Sequence, residues 1–231
     1  MKRKNLYIIL TLVMGSHFLP AQVKKMDTLV FQPMFGDSTL VLSTYSYKLN
    51  DKDSIQFDVL KFYISGIEFL NKGKPVWKEE NSFHLIDASQ EKTMSVILKR
   101  SSSIICDQIK FNIGIDSTIN VSGAMGGDLD PTKGMYWTWQ SGYINFKLEG
   151  ISNVCKSKNQ EFQYHVGGYE SPFNAFQTVT LDCKRSNKIE IDIKELLSGI
   201  DLSKQDHIMS PSAEAVVLAQ KISKTFSVQA Q

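Results

Sequence analysis

Alternation of apolar and polar residues runs through most of this chain and limits its fold more than any other sequence feature. Successive side chains of a strand point to opposite faces, so the alternation predicts strands with one buried face. The runs are rich in Val, Ile, Phe, Tyr and Thr, which favour strands. In chain order they read STLVLSTYSYKL, SIQFDVLKFYISGIEFL, SFHLID, SVILKR, QIKFNIGI, YINFKLEG, EFQYHV, QTVTLDC and KIEIDIKEL.

Turn-forming residues separate these runs, at Asn50-Asp51, 71–75, Gly167-Gly168 and Ser186-Asn187. Short strands at this spacing are typical of β-sandwiches and barrels. The chain has no Pro-, Gly- or Ser-rich linker and no repeat of fixed period. We therefore predict an all-β fold, an antiparallel β-sandwich formed by one domain over residues 22–231, with a C-terminal helix.

That helix is predicted from the stretch MSPSAEAVVLAQKISKTF. Ser210 is expected to be its N-cap, with Pro211 at the first helical position. Val217, Ile222 and Phe226 fall on one apolar face. We expect the helix to pack onto the sandwich as a lid.

The N-terminus has the three parts of a secretory signal peptide. A basic start, Met1 to Lys4, precedes an apolar run from Leu6 to Met14 and a small-residue site ending at Ala21. The apolar run is too short to span a membrane. We predict a signal peptide over residues 1–21 and a mature protein that is periplasmic or secreted, without a transmembrane segment.

The charge balance and the missing motifs narrow the function classes. Cleavage removes Lys2, Arg3 and Lys4 from 26 basic residues and leaves 23 against 24 acidic ones, a formal charge of −1. This balance gives no indication of a nucleic-acid partner. G-x-S-x-G, H-E-x-x-H, C-x-x-C and phosphate-binding glycine loops are absent from the sequence, so no organic cofactor and no catalysis are predicted. The sequence also contains no local motif that supports a Ser-His-Asp hydrolase.

Two tryptophans, Trp137 and Trp139, stand two residues apart and would share one face of a strand. They fill the core, or they form a surface redox group that gives up electrons. The preceding turn GGDLDPTKG and the polar tips of Tyr136, Gln140 and Tyr143 favour a place near a sheet edge. Both interpretations stay open.

Three histidines remain after the signal peptide and are the candidate metal ligands. His84 lies in FHLID, His165 in QYHVGG, and His207 stands two residues before Met209. Imidazole and thioether groups are ligands that copper accepts. The alternative is that each histidine is an ordinary half-buried or loop residue.

The acidic turn has two interpretations as well. Asp128 and Asp130 could bind calcium, although the EF-hand pattern is absent from the sequence. The alternative is an Asx turn at Asp130-Pro131, with Gly134 at positive φ.

An exported protein can form disulfides, and this chain has three cysteines. Cys155 and Cys183 bracket a short strand-like segment and are the preferred pair. Cys106 is expected to be buried in a strand of its own.

Several stretches together resemble the MbnP-like family of periplasmic proteins. The most specific is the W-x-W in GDLDPTKGMYWTWQSGYINFKLEG. The others are LKFYISGIEF, FHLIDAS, FQYHVGGYESPFNAFQTVTL and HIMSPSAEAVVLAQKISKTFSV.

The resemblance implies a copper-binding β-sandwich paired with a di-haem enzyme similar to MauG and bacterial cytochrome c peroxidases. That partner would withdraw electrons from Trp137 or Trp139 and convert it to kynurenine, whose amine joins imidazoles around copper in related proteins. The chain would then be a substrate with a role in copper uptake, storage or sensing. The alternative function is a surface or periplasmic adhesion module whose exposed aromatics bind a glycan or a protein.

Overall fold

The computed structural model describes residues 28–100, 104–182 and 186–229, where two sheets and three short α-helices are found. The predicted signal peptide lies outside these ranges. The smaller sheet contains β1 (Thr28–Phe35), β2 (Ser38–Thr39), β7 (Ser95–Ile97), β13 (Lys188–Asp192) and β15 (Phe226–Val228). The larger sheet contains β3 (Ser46–Lys48), β4 (Ser54–Asn71), β5 (Lys74–Lys78), β6 (Phe83–Asp87), β8 (Gln108–Ile113), β9 (Tyr136–Trp137), β10 (Gly142–Ser152), β11 (Glu161–Gly167), β12 (Gln177–Asp182) and β14 (His207–Ile208).

The 18-residue strand β4 organises the larger sheet. Along one edge it pairs first with β10 and then with β8, and along the other with β3, β6 and β5. Strand β11 extends the sheet beyond β10, and the short β14 lies at the edge beyond β11. The strands β10, β11 and β14 therefore form one continuous surface.

The β-sandwich prediction is confirmed, but the sheets are mixed and the expectation of purely antiparallel pairing is wrong. β1 pairs with β13 in parallel, and β11 pairs with β14 in parallel. Both pairings join segments that are far apart in sequence, so local hairpin signals cannot reveal them.

Three segments differ from the predicted elements. β1 was not predicted, because Pro33 interrupts its alternation and proline lacks the N–H that a ladder needs. KIEIDIKEL divides into β13 and helix α2 (Ile193–Leu197), since the Asp192 carboxylate caps the N–H groups of Lys194 and Glu195. The long run STLVLSTYSYKL forms only β2 and β3.

The C-terminal helix is present as α3 (Ala213–Lys224), with one boundary corrected. Its N-cap is Ser212 and not Ser210, because the Ser212 side chain accepts the N–H of Ala215. Val217 is 65% exposed and Phe226 lies in β15, so neither belongs to the buried helix face as predicted. That face consists of Ala215, Leu218, Ala219 and Ile222. In the described ranges, every helix is too short or too polar to cross a membrane.

Two apolar clusters lie on opposite faces of the larger sheet. The main core fills the space between the two sheets and includes Phe62, Phe146 and Tyr164. A smaller cluster covers the outer face, where helix α1 (Ser117–Val121) and the segment after it fold back over β4 and β10. Its buried members are Tyr63, Leu85, Ile115, Leu129, Met135, Trp137, Tyr143 and Ile144.

Candidate functional site on the outer face of the larger sheet

The acidic turn before the tryptophans is held by its own side chains. The Asp130 carboxylate accepts the N–H and the hydroxyl of Thr132, and Gly134 has a φ of 75°. The Asp128 carboxylate contacts Lys133 Nζ at 2.6 Å and accepts the N–H of Leu85. The Asx-turn alternative accounts for the bonds of Asp130, and the calcium alternative gains no support from the contacts of either aspartate.

Two lysines from the sheet fix the end of this turn. Lys61 Nζ donates to the Lys133 carbonyl and Lys147 Nζ to the Gly134 carbonyl, each at 3.4 Å. Both lie on the outer face of neighbouring strands, as in-register partners of β4 and β10. Cations favour the carbonyl end of a helical turn, so the pair positions the chain that leads into β9.

Trp137 is a buried residue of the outer cluster, only 5% exposed. Its ring lies against Gly167 of β11, where an ideal Cβ atom would be 2.8 Å from Cζ3. Its indole N–H is buried and has no hydrogen-bond partner in the described ranges. The core interpretation therefore describes Trp137.

Trp139 is 67% exposed, and its ring centroid is 6.2 Å from that of Trp137 at an interplanar angle of 53°. The expectation that both indoles share one strand face is wrong, because β9 ends at Trp137 and Trp139 lies in the following turn. The two rings are nevertheless neighbours. The surface interpretation describes Trp139, which gives the buried indole an exposed contact.

His165 lies on the outer face of β11, two residues before Gly167 and therefore on the same side of the strand. Its ring is nearly buried, and Nε2 is 2.5 Å from Glu149 Oε1. Lys147 Nζ contacts the same carboxylate oxygen at 3.2 Å. The hydrogen bond from His165, aided by Lys147, holds the pKa of Glu149 below its ordinary value.

His207 comes to this face from the next strand, because in the parallel pair it is in register with Gln163, as Ile208 is with Tyr164. Met209 comes directly after this strand and is 40% exposed. His207 Nδ1 is 2.8 Å from the carboxylate of the preceding Asp206, and this bond lowers the pKa of Asp206.

We call Trp137, Trp139, His165, His207 and Met209 the outer-face cluster. Trp137, His165 and His207 belong to β9, β11 and β14, and Trp139 and Met209 come just after β9 and β14. Groups of three or more His, Cys, Asp and Glu side chains that could hold a metal ion are absent from the described residues. Copper at this face would therefore need the thioether of Met209 or a donor on the W-x-W beside the imidazoles.

His84 does not belong to the cluster. It lies on β6 in register with Ile64, and its side chain is on the same side as Ile86, which faces the main core. Three strand steps separate β6 from β11, because β4 and β10 lie between them. His84 therefore does not lie beside His165 and the W-x-W.

His84 also takes part in an arrangement that resembles a triad without being one. Its Nε2 is 2.8 Å from Glu79 Oε2, and the Ser82 hydroxyl donates to that same oxygen at 2.6 Å. A hydrolase needs the histidine between the serine and the carboxylate, so that imidazole takes the serine proton. Here the carboxylate lies between them, so this group is not such a triad.

The predicted disulfide falls partly outside the described residues, because Cys183 does, and it stays a prediction.

The other two cysteines are described. Cys155 is a buried free thiol, and burial, with a smaller effect of Asp206, raises its pKa to about 11. Cys106 is half-buried in the loop before β8, so its expected place in a strand is wrong.

Sequence reasoning missed three residues of the site: Lys147, Glu149 and Gly167. The signal for the first two is their alternation in YINFKLEG, which places both on the polar face of β10. Gly167 was interpreted as part of a turn. Its position under Trp137 depends on a contact between distant segments.

Two packed sheets, with aromatic and imidazole side chains on one outer face, define the class of this protein as a β-sandwich. The family model described as MbnP matches residues 24–211, and the chain belongs to this family. A solved structure titled MbnP from Methylosinus trichosporium is similar, with a TM-score of 0.57 and 15% identity, over 82% of this chain and 86% of that one. At this identity the likeness shows a common fold. The comparison with curated proteins gives no match.

Proposed function

We propose that this chain is an exported copper-binding protein whose W-x-W is oxidised by a di-haem partner similar to MauG. The observation that carries the proposal is the outer-face cluster, where an exposed indole, a buried indole, two imidazoles and a thioether lie on β9, β11 and β14 or directly after them. Membership in the MbnP family supports it. The protein acts as metal carrier and substrate, with no catalysis of its own.

The tryptophan pair suits stepwise loss of electrons. Trp139 is accessible to a partner protein, and its ring contacts that of Trp137. An electron taken at Trp139 can be replaced from Trp137, so either residue is a possible site of kynurenine formation. The aromatic amine of kynurenine then supplies a nitrogen donor beside His165 and His207, and the thioether of Met209 suits reduced copper.

The test of the oxidation is tandem mass spectrometry of the tryptic peptide Gly134 to Lys147 from protein purified out of its native host. Kynurenine in place of one tryptophan is the expected result, and the fragment series names the residue. Two intact indoles in cells that express the haem partner would contradict the proposal.

The test of copper binding compares two matched histidine variants of the mature chain. His165→Ala is expected to weaken copper binding, because it removes an imidazole of the outer-face cluster. His84→Ala is the control, since His84 has the same kind of carboxylate partner but lies on the opposite face. Equal losses in both variants would place the metal elsewhere.

One observation favours the adhesion alternative. Trp139 adjoins Gln140, which lines a cleft of about 240 Å³ together with Tyr169, Glu170 and Phe173. Exposed aromatics beside a cleft are suited to stacking on a sugar or on a protein side chain. Binding of a glycan that Trp139→Ala abolishes, in protein with both indoles intact, would favour this function.

A further inference from the structure

Every histidine of the described chain has one ring nitrogen next to a carboxylate. The pairs are His84 Nε2 with Glu79, His165 Nε2 with Glu149 and His207 Nδ1 with Asp206. A carboxylate accepts a hydrogen bond and so favours the tautomer that carries the proton on the adjacent nitrogen. Each pair thereby determines which nitrogen keeps a free lone pair.

For His165 the free nitrogen is Nδ1. The one hydrogen bond of its ring within the described part of the chain runs from Nε2 to Glu149. Nδ1 makes no hydrogen bond in the described ranges, so its lone pair is unused, and the residue is 8% exposed.

We propose that Glu149 is a positioning residue that holds His165 in the Nε2–H tautomer, so that Nδ1 is the nitrogen presented to a metal ion. A histidine that ligates a metal commonly donates its other N–H to a carboxylate, which fixes the ring and strengthens the ligand. The inference rests on the proposed copper function. It adds a residue that does not itself touch the metal.

Lys147 fixes Glu149 in turn and connects it to the tryptophans. Its ammonium group lies 3.2 Å from Glu149 Oε1 and 3.4 Å from the Gly134 carbonyl, in the turn that leads to Trp137. Glu149 is half-buried and lies on β10, a central strand, so its position is well constrained. The same carboxylate thus links the orientation of His165 to the segment that carries the W-x-W.

The first experiment is ¹⁵N NMR of the histidine rings in the metal-free mature chain. Wild type is expected to show His165 protonated at Nε2. Glu149→Gln keeps an acceptor oxygen and should keep this tautomer, whereas Glu149→Leu should lose it. Glu79→Leu is the matched control, which changes His84 and leaves His165 as it was.

The second readout is titration with copper(I) alone, which is diamagnetic. The shift is expected at Nδ1 of His165, with affinity lower by about 10- to 100-fold in Glu149→Leu and by less in Glu149→Gln. A wild-type His165 protonated at Nδ1, or a Glu149→Leu protein with unchanged tautomer and affinity, would overturn the inference. If Glu149→Leu does not fold, the wild-type tautomer and Glu149→Gln decide.

A failure of the proposed copper function can be distinguished from a failure of the inference about Glu149. A wild-type chain that binds no copper(I) contradicts the proposed function. The tautomer in the metal-free protein is measured independently, and it still decides whether Glu149 orients His165.

Discussion

The indole ring of Trp137 lies against Gly167 so closely that an ideal Cβ atom on the glycine would be 2.8 Å from Cζ3 and 2.9 Å from Cη2. The carbonyl of Tyr143 is 2.7 Å from the same point. Residue 167 therefore has to be glycine for the buried indole to reach the outer face of β11. This contact joins the W-x-W segment to the strand that carries His165.

We expect Gly167→Ala to displace Trp137 and to destabilise the fold by about 1–3 kcal/mol, the usual cost of overpacking. The emission of the indole should move to longer wavelength as water reaches it. Fluorescence and denaturant unfolding measure both effects. Gly126→Ala is the control, because nothing lies within 4 Å of an added Cβ there, and equal effects in both variants would refute the contact.

The two tryptophans should differ sharply in their contribution to stability. Trp137→Ala is expected to cost about 3–5 kcal/mol, as for other buried aromatics, because it opens a cavity in the outer cluster. Trp139→Ala should change stability by less than about 0.5 kcal/mol, since the ring is 67% exposed. Denaturant unfolding of both variants is the measurement, and similar losses would show that the pair acts as one core unit.

Trp137→Phe separates packing from the unsatisfied N–H. Phenylalanine is smaller but brings no buried donor without a partner, and leaving such a donor unpaired costs about 1–3 kcal/mol. The two effects oppose each other, so we expect a smaller loss than for Trp137→Ala by at least about 2 kcal/mol. A loss as large as that of the alanine variant would mean that the indole N–H has a bound partner in solution.

The sequence was sufficient to predict the strands of the main core but not the apolar cluster on the outer face. Alternation located β4, β8, β10, β11 and β12, because each has one face in the main core. It could not predict that a second cluster covers the outer face. That cluster depends on the fold of segment 114–142 over β4, which no local pattern encodes.

For the candidate site, the sequence was sufficient to identify the residues but not to predict how the strands bring them together. Residue type pointed to Trp137, Trp139, His165, His207 and Met209, and the strands bring these residues to one face. The parallel pairing of β11 with β14, which places His207 there, joins residues 163 and 207 and has no local signal. His84 has the same residue type as His165, and only the register of β6 separates it from the site.

The ion pair between Lys61 and Asp87 should make the free energy of unfolding decrease at low pH. Burial alone would raise the pKa of Asp87, but hydrogen bonds from Ser89 and Lys61 outweigh it and lower the pKa. A lowered pKa in the folded state adds stability above the unfolded value of about 3.9, and that stability is lost as pH falls through the folded value. We therefore expect unfolding free energy to be steady from about pH 7 to 5 and to fall below about pH 4.

Lys61→Met tests this pair. The variant should lose about 1–3 kcal/mol at pH 7, because Asp87 is buried and loses a charged partner. The pKa of Asp87 then lies nearer its ordinary value. Curves of unfolding free energy against pH for variant and wild type should therefore converge at low pH. Lys133→Met is the control, since the Lys133–Asp128 pair is about 40% exposed and such pairs contribute at most about 1 kcal/mol. Parallel curves down to pH 3 would contradict the assignment.

Cys155 is expected to remain a reduced thiol that reacts slowly in the folded protein. It is 5% exposed, and burial raises its pKa to about 11, so little thiolate forms at pH 8. Labelling with a maleimide reagent should therefore be slow under native conditions and fast in denaturant. Non-reducing peptide mapping completes the test, because a peptide that joins Cys155 to Cys183 would contradict the reduced thiol and would confirm the disulfide predicted from the sequence.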